Sequence, residues 1–538
     1  MIYIDQPSLF LRSEKYYEWN VDDMTYKDTI IKYKRAYKTY FTSLAAQFCT
    51  DLGQNCEDLE TEAEEVYQFE NFLAQISEPS SNRSFDDDLT WNKMKISDLE
   101  ASVPEMGIFT TLASIFSRVN YTVTSETLIN DQSVTFFEAL NSEIDDVNLE
   151  TLNNFMVFRI VPSFIDALPE TYKKIRDDFN AEFKGVSKRR ERYEDCIDAT
   201  LDALPFPTSA LYLHVAYPPE AKKSTDIMVE AILDSFKNKI LKEQVDWMDE
   251  ETKKMANEKV DSIVSNMGYP DYIVTDKSRL DAEYADLKVS SNLFQNYVDQ
   301  LNFEFLNSLA KIKRPIDSTE WSTRLPPAVV NAYYSPTQNS INFPAGILQF
   351  PFYDRYQSMA SNFGAIGVVI GHELTHGFDD SGSQYGADGN KFDWWNTETR
   401  KNFDERGEGM ADQYSKYFWD QAGKNLDGKA TLGENIADNG GLRESFFAYG
   451  KWASENKDFV LPGMQDMSWK QQFFLGYAQV WCSIYTDEEA SNRIDTDVHS
   501  PAPFRVLGPL SNFEEFGKAF QCKKGTDVYY PEETQRVW

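Results

Sequence analysis

The sequence predicts a mainly α chain with a minor β component (α+β), and three observations carry that expectation. The amino-terminal stretches Thr25–Phe48, Cys56–Ile76 and Asn148–Phe183 set apolar residues at three- and four-residue intervals among charges. That is the period at which a helix buries one face. β-like runs are short and fall in the second half, Ala328 to Tyr334 (AVVNAYY) and Asn339 to Phe343 (NSINF). The apolar run from Phe363 (FGAIGVVIG) leads straight into charged and imidazole side chains, and reads as a buried helix.

The 538 residues are 41% apolar and 26% charged, an ordinary globular balance that excludes disorder for most of the chain. At about 100–200 residues per domain the length suits several units or two large lobes. The 53 Lys plus Arg against 87 Asp plus Glu leave a net charge of −34. A field of that sign repels phosphate backbones and anionic lipid surfaces, so no nucleic-acid partner is expected. The longest apolar runs fall well short of the roughly 18–20 residues that span a bilayer. The opening MIYIDQPSLFLRSEK lacks the basic start, apolar stretch and cleavage site of a secretory signal. As it stands, the chain is expected to be soluble, without a membrane segment or an address.

From the amino terminus, the helical stretches give way at Ser77–Asp88 (SEPSSNRSFDDD), a turn-forming acidic segment expected to be a surface loop. It holds a glycosylation sequon at Asn82, and a second lies at Asn120. Pro205, Pro207, Pro218 and Pro219 punctuate the chain after the third helical stretch, and a charged helical stretch runs from Glu220 to Ser265. A domain boundary is expected near residue 222. In the second half, Ser335–Gln338 suits a turn between the two β-like runs.

Five cysteines, Cys49, Cys56, Cys196, Cys482 and Cys522, are too few for a disulfide scaffold. Cys49 and Cys56 bridge only if Asp51–Asn55 is a loop, because seven residues of unbroken helix rise about 10.5 Å. The alternative is a set of reduced, partly buried thiols.

Four histidines serve the whole chain, and two of them stand in His372-Glu373-Leu374-Thr375-His376, an HExxH motif. On a helix the imidazoles lie one above the other on one face. Both can then reach one ion at about 2.0–2.1 Å, as zinc requires. Glu373 is offset around the helix, placed for a water instead of the metal. A catalytic zinc needs a third protein ligand and an open position. Glu434, in GENIADNGG, is the candidate, with Asp438 four residues on and Gly440–Gly441 expected to close the helix. Asp438 could accept a hydrogen bond from a ligand histidine's other nitrogen, fixing its tautomer. Asp379 could orient His376 in the same way, or cap the turn at Ser381–Gly382. His499 lies in the Pro-rich segment HSPAPFR with Arg505, and the two offer the hydrogen-bond donors that an oxyanion needs. His214 has no such company and is assigned no role.

NAYY, FPAGILQFPF, HELTH, GENIADNGG and HSPAPFRV occur in that order. The combination resembles the neprilysin / endothelin-converting enzyme family of zinc endopeptidases. The resemblance extends to the initial IYIDQPSLFLRSEKYY and the terminal RVW, hence over essentially the whole chain. It implies an extracellular or cell-surface, two-lobed peptidase with a helical lobe (1–222) and a thermolysin-like catalytic lobe with a small β-sheet (223–538). It makes His372, His376 and Glu434 the ligands of one Zn2+ and Glu373 the catalytic acid–base, with Asp379 and Asp438 orienting the histidines. His499 would stabilise the transition state, and Arg505 would bind a substrate carbonyl and help hold the site. Asn331 and Ala332 would bind the backbone of a peptide substrate, in keeping with an exposed edge strand. Ile347, Phe352, Val368, Val369, Val480 and Trp481 would line an apolar pocket that favours cleavage on the amino side of hydrophobic residues.

The chain departs from the family in three ways. It begins inside the helical lobe, so an amino-terminal part is expected to be missing. Its Gln535-Arg536-Val537-Trp538 lacks the cysteine of the family's terminal Cys-x-x-Trp, and the partner expected within Asn402–Tyr417 is also absent. Cys196, Cys482 and Cys522 match family cysteines whose partners lie in the missing part. The sequence is thus compatible with an active zinc endopeptidase, or with an incomplete, catalytically impaired product that binds zinc or peptide. It leaves the oligomeric state open.

Overall fold

A computed structural model describes residues 1–79, 82–83, 87–217, 219–525 and 528–538. The expected loop at 77–88 falls partly outside the described residues, as does Pro218. Contacts divide the chain into two compact units, each discontinuous in sequence. One joins Met1–Arg190, Asp286–Pro315 and Tyr485–Thr496; the other joins Glu191–Ala285, Ile316–Ile484 and Asp497–Trp538. The fold is mainly α with small sheets, as the periodicities predict.

In the first unit, helices α1 (Lys27–Leu52) and α2 (Leu59–Ile76) match the first two amphipathic stretches closely. The third splits into α3 (Leu149–Ile160), a 3-10 segment (Val161–Ala167) and α4 (Glu170–Lys184). Pro162 opens the 3-10 segment and Pro169 caps α4, each withholding the N–H that a continuous helix needs. α1 packs on α2 and α4, and α2 on α3. The core between them is aromatic: Phe10 meets Phe158 at 4.7 Å between ring centroids, and Tyr37 meets Phe158 at 4.9 Å. A small sheet that the sequence did not signal joins β1 (Ile2–Ile4), β2 (Asn92–Lys95) and β3 (Leu128–Asp131) in the order β1-β3-β2. Its strands have three or four residues each, too few to display a period of two. α1 ends at Gly53, whose φ of 64° is the left-handed conformation that glycine adopts freely. That break opens the loop on which the Cys49–Cys56 alternative turned, and the two are bridged, with Cα atoms 6.0 Å apart.

The second unit begins with α5 (Arg192–Ala203) and α6 (Pro205–Ala216), which pack on each other. The contacts therefore differ from the single division expected near residue 222. α6 is held by its own unit: Phe206 packs edge-on against Tyr272, and Ser209 Oγ accepts from Ala328 N at 3.1 Å. Proline punctuation marks a turn, whereas unit membership depends on which distant residues a helix touches. Beyond lie α7 (Glu250–Asp261), β4 (Val264–Gly268), β5 (Tyr333–Ser335), β6 (Ser340–Pro344), α8 (Val368–His376), α9 (Thr397–Tyr414), α10 (Leu432–Glu455), α11 (Trp469–Val480) and α12 (Ala502–Ser511). The sheet order is β4-β6-β5, with β4 parallel and β5 antiparallel to the buried β6, so β5 is an edge strand. β5 is shorter than AVVNAYY suggested, because Val329 closes a turn onto Pro326 O and Asn331 and Ala332 only lead into the strand.

The glycine pair does not end its helix as expected. α10 does not close at Gly440–Gly441 but runs on to Glu455. A Cβ on Gly441 would stand 2.4 Å from His372 N, and one on Gly440 would stand 2.6 Å from Thr375 Oγ1. Gly371 meets Gly441 Cα in the same way, at 2.7 Å. The glycines remove side chains where α8 and α10 cross, so the two helices touch through their backbones. Among the described residues no helix is long and apolar enough to cross a membrane.

Candidate metal centre

The close crossing of α8 and α10 brings the HExxH residues to Glu434. His372 Nε2 and His376 Nε2 lie 2.9 Å apart, and Glu434 Oε2 lies 3.3 Å from the first and 3.5 Å from the second. Ligands at about 2.0–2.1 Å around a tetrahedral zinc stand roughly 3.3 Å from one another, so the triangle has the right size. The opposite ring nitrogens are already committed. His372 Nδ1 is 2.8 Å from Asp438 Oδ1, and His376 Nδ1 is 2.6 Å from Asp379 Oδ2. With Nδ1–H donated to a carboxylate, each Nε2 keeps its lone pair. Two lone pairs and the buried Glu434 Oε2, which has no hydrogen-bond partner, thus converge on one point. Such a set repels itself unless a cation sits among it, and the residues fit a single divalent ion.

The electrostatics point the same way. Burial opposes ionisation of Glu434, yet the two imidazoles beside it hold its carboxyl well below the usual range. Burial raises Glu373, with His372 and His376 opposing, as a proton-transferring carboxylate requires. Asp438 is 2% exposed and doubly engaged: Arg505 donates Nε to Oδ2 at 2.8 Å and Nη2 to Oδ1 at 2.7 Å. Burial again opposes its charge, but Arg505 and His372 keep it below the ordinary value. Asp379 makes two contacts: its Oδ1 accepts from Gly382 N at 2.6 Å, and its Oδ2 lies 2.6 Å from His376 Nδ1.

His499 is also brought in, with Nε2 at 3.3 Å from Glu434 Oε1. Its other nitrogen lies 2.7 Å from Asp497 Oδ1, an orienting carboxylate to which no sequence motif points. Trp481, just past the end of α11, reaches the cluster through Arg505, whose guanidinium lies 4.0 Å from the ring centroid. Val368 is buried and Val369 half-buried on α8, Val480 ends α11, and Ile347 and Phe352 lie on the segment before α8. Asn331 turns its side chain back to accept from Ala332 N at 2.9 Å, and neither residue joins the polar cluster.

A second residue without a sequence signal is Lys259, on α7. It is 1% exposed, and its ammonium donates to the carbonyls of Gly377, Gly382 and Tyr385 at 2.6–2.7 Å. Those carbonyls belong to the loop that carries Asp379, so a cation from another helix holds the residue that orients His376. Burial pulls this lysine down to about 7, against the attraction of Asp379. A lysine within a charged helical stretch carries no local sign of such a role.

With this geometry in hand, comparison with known proteins is specific. A family model described as Peptidase family M13 matches residues 331–537, and a second model of the same description matches residues 1–270. Mouse membrane metallo-endopeptidase-like 1 is 36% identical over 546 residues, covering 100% of this chain and 70% of its own length. Human neprilysin is 36% identical over 549 residues, covering 100% and 71%. The endothelin-converting enzyme homolog of Locusta migratoria is 34% identical over 546 residues, covering 100% and 72%. Among solved structures, Mycobacterium tuberculosis zinc metalloprotease Zmp1 in complex with inhibitor superposes with a TM-score of 0.87 at 27% identity, covering 100% of this chain and 78% of that one.

Proposed function

The chain belongs to peptidase family M13, and on that premise we propose that it is a zinc-dependent endopeptidase that cuts short peptides on the amino side of hydrophobic residues. The observation that carries this reading is the convergence of His372 Nε2, His376 Nε2 and Glu434 Oε2 within 3.5 Å of one another. These three residues would hold the ion. Zinc, when bound, polarises the scissile carbonyl and acidifies a water.

The chain's own side chains do the rest. Asp379 and Asp438 keep both imidazoles in the tautomer that presents Nε2, and Asp438 also pins Arg505. Glu373, next in sequence to His372 and buried, takes a proton from the attacking water and passes it to the leaving amine. His499, oriented by Asp497, and Arg505 offer donors to the oxyanion that forms at the carbonyl carbon. Asn331 and Ala332, leading into edge strand β5, would bind the substrate backbone by strand addition. Ile347, Phe352, Val368, Val369, Val480 and Trp481 would line the hydrophobic pocket. The Cys49–Cys56 bridge favours an oxidising, extracellular or cell-surface setting.

The test is direct. Purified protein is expected to contain one zinc per chain by atomic absorption and to hydrolyse a short peptide before Phe or Leu. A chain with no zinc, or one that cleaves equally well before Asp, overturns the reading.

A further inference from the structure

A second feature of α10 lies outside the metal centre. Arg443 stands on this helix, two turns and more beyond Glu434, and faces a cavity of about 690 Å3 that is also lined by Arg406 of α9 and Arg536 near the chain end. In a chain with 87 acidic against 53 basic residues, arginines are expected to find carboxylates. These three do not: among the described residues none has a carboxylate within 4 Å. Arg443 donates only to Gln244 Oε1 and lies 5.1 Å from the ring centroid of Phe513. Arg536 donates to Gln244 O at 3.3 Å, and Arg406 lies 5.5 Å from the ring of Trp247. Nε of Arg443 and Nε of Arg406 are both buried without a hydrogen-bond partner.

The carboxylates around the cavity are engaged elsewhere. Glu514 pairs with Lys518, Glu515 with Lys470 and Lys518, and Glu405 approaches Lys401. Glu532 also lines the cavity and forms no ion pair with any of the three arginines, and Lys524 adds a further cation to the lining. Burial and the neighbouring Arg536 push Arg443 down to about 9, against the attraction of Glu514, which stands too far off to form an ion pair.

We infer that this cavity is an anion-binding site, separate from the metal centre, that takes a phosphate-class oxyanion. Guanidinium groups present planar forks of donors that match phosphate oxygens two at a time. Four carboxylates line the same cavity, but three of them pair with lysines, which leaves the guanidinium forks free for a multiply charged group. The volume lies within the range of small-molecule sites, so a phosphorylated small molecule fits as well as the free ion.

The full-length chain is titrated calorimetrically with inorganic phosphate, pyrophosphate, citrate and sodium chloride at constant ionic strength. Saturable binding of pyrophosphate is expected, tighter than that of phosphate, citrate or chloride. In Arg443→Gln and in Arg406→Gln with Arg443→Gln the affinity should fall at least tenfold, while peptide hydrolysis without phosphate stays within twofold of the parent. Unchanged pyrophosphate affinity in the double variant, binding no stronger than that of chloride, or tighter binding of citrate overturns the assignment. Hydrolysis by Arg443→Gln at the parent rate shows that the variant is folded, so a loss of binding there reports on the cavity alone.

Discussion

One helix carries two clusters of charge that are handled in opposite ways. At the amino-terminal end of α10, Glu434 and Asp438 are met by two imidazoles and a guanidinium, with each Asp438 oxygen paired. Two turns on, Arg443 shares a cavity with two more arginines and makes no ion pair, although glutamates also line the wall. The first end is largely buried and the second half-buried, and an unmatched charge is expensive where water is excluded. The first end balances its charges within the protein except at one point, where three donor atoms converge. The second leaves three guanidinium groups without ion pairs around a cavity whose carboxylates pair mainly with lysines. A surplus confined to a point selects an ion, and one spread over a cavity selects a polyatomic ligand.

The comparison can be broken most forcefully at the metal end. Glu373→Gln is expected to retain zinc while losing about 10²–10⁴-fold in peptide hydrolysis, since it removes the proton acceptor and no ligand. Zinc analysis beside a peptide assay separates the two, and hydrolysis at the parent rate would refute the role. Asp438→Asn should weaken zinc binding by about 10–100-fold, measured by competition with a chelator, because His372 loses its charged partner and Arg505 its counter-ion. An unchanged zinc affinity would mean that Asp438 serves Arg505 alone.

Smaller effects sharpen how the ends are held. Gly441→Ala should destabilise the fold by about 1–3 kcal/mol in urea, since its methyl group meets His372 N at 2.4 Å. Lys259→Met tests the staple on the loop of Asp379. A lysine at about 7 in the folded protein and near 10.5 when unfolded binds fewer protons folded than unfolded across that interval. Its burial therefore costs most below pH 7, and stability rises as pH climbs from about 7 toward 10. The parent should gain stability relative to Lys259→Met between pH 7 and pH 9, and an identical pH slope for the two proteins would contradict the shift.

Much of this is legible in the sequence alone. The helical stretches α1 and α2 appear at their proper places because their period is local and long. HELTH is readable for the same reason, since four residues on a helix return to the same face. Glu434, Asp438, His499 and Arg505 stand out through their motifs, and they lie near one another in the structure. The short strands β1 to β3 are not visible, because three residues cannot show alternation. Asp497 and Lys259 escape notice because each acts through a residue far away or in a loop. The glycine pair misleads because Gly-Gly commonly ends a helix, whereas here it lets one helix touch another.

What the sequence by itself determined is what depends on neighbours along the chain: helix period and the two imidazoles on one face. The tertiary structure alone decided that Cys49 and Cys56 pair, why α10 has no side chain at Gly441, what Lys259 holds, and that Arg406, Arg443 and Arg536 share a cavity. The reason is physical. Helix geometry repeats every few residues, whereas charge, volume and hydrogen-bond partners are balanced only once distant segments have packed.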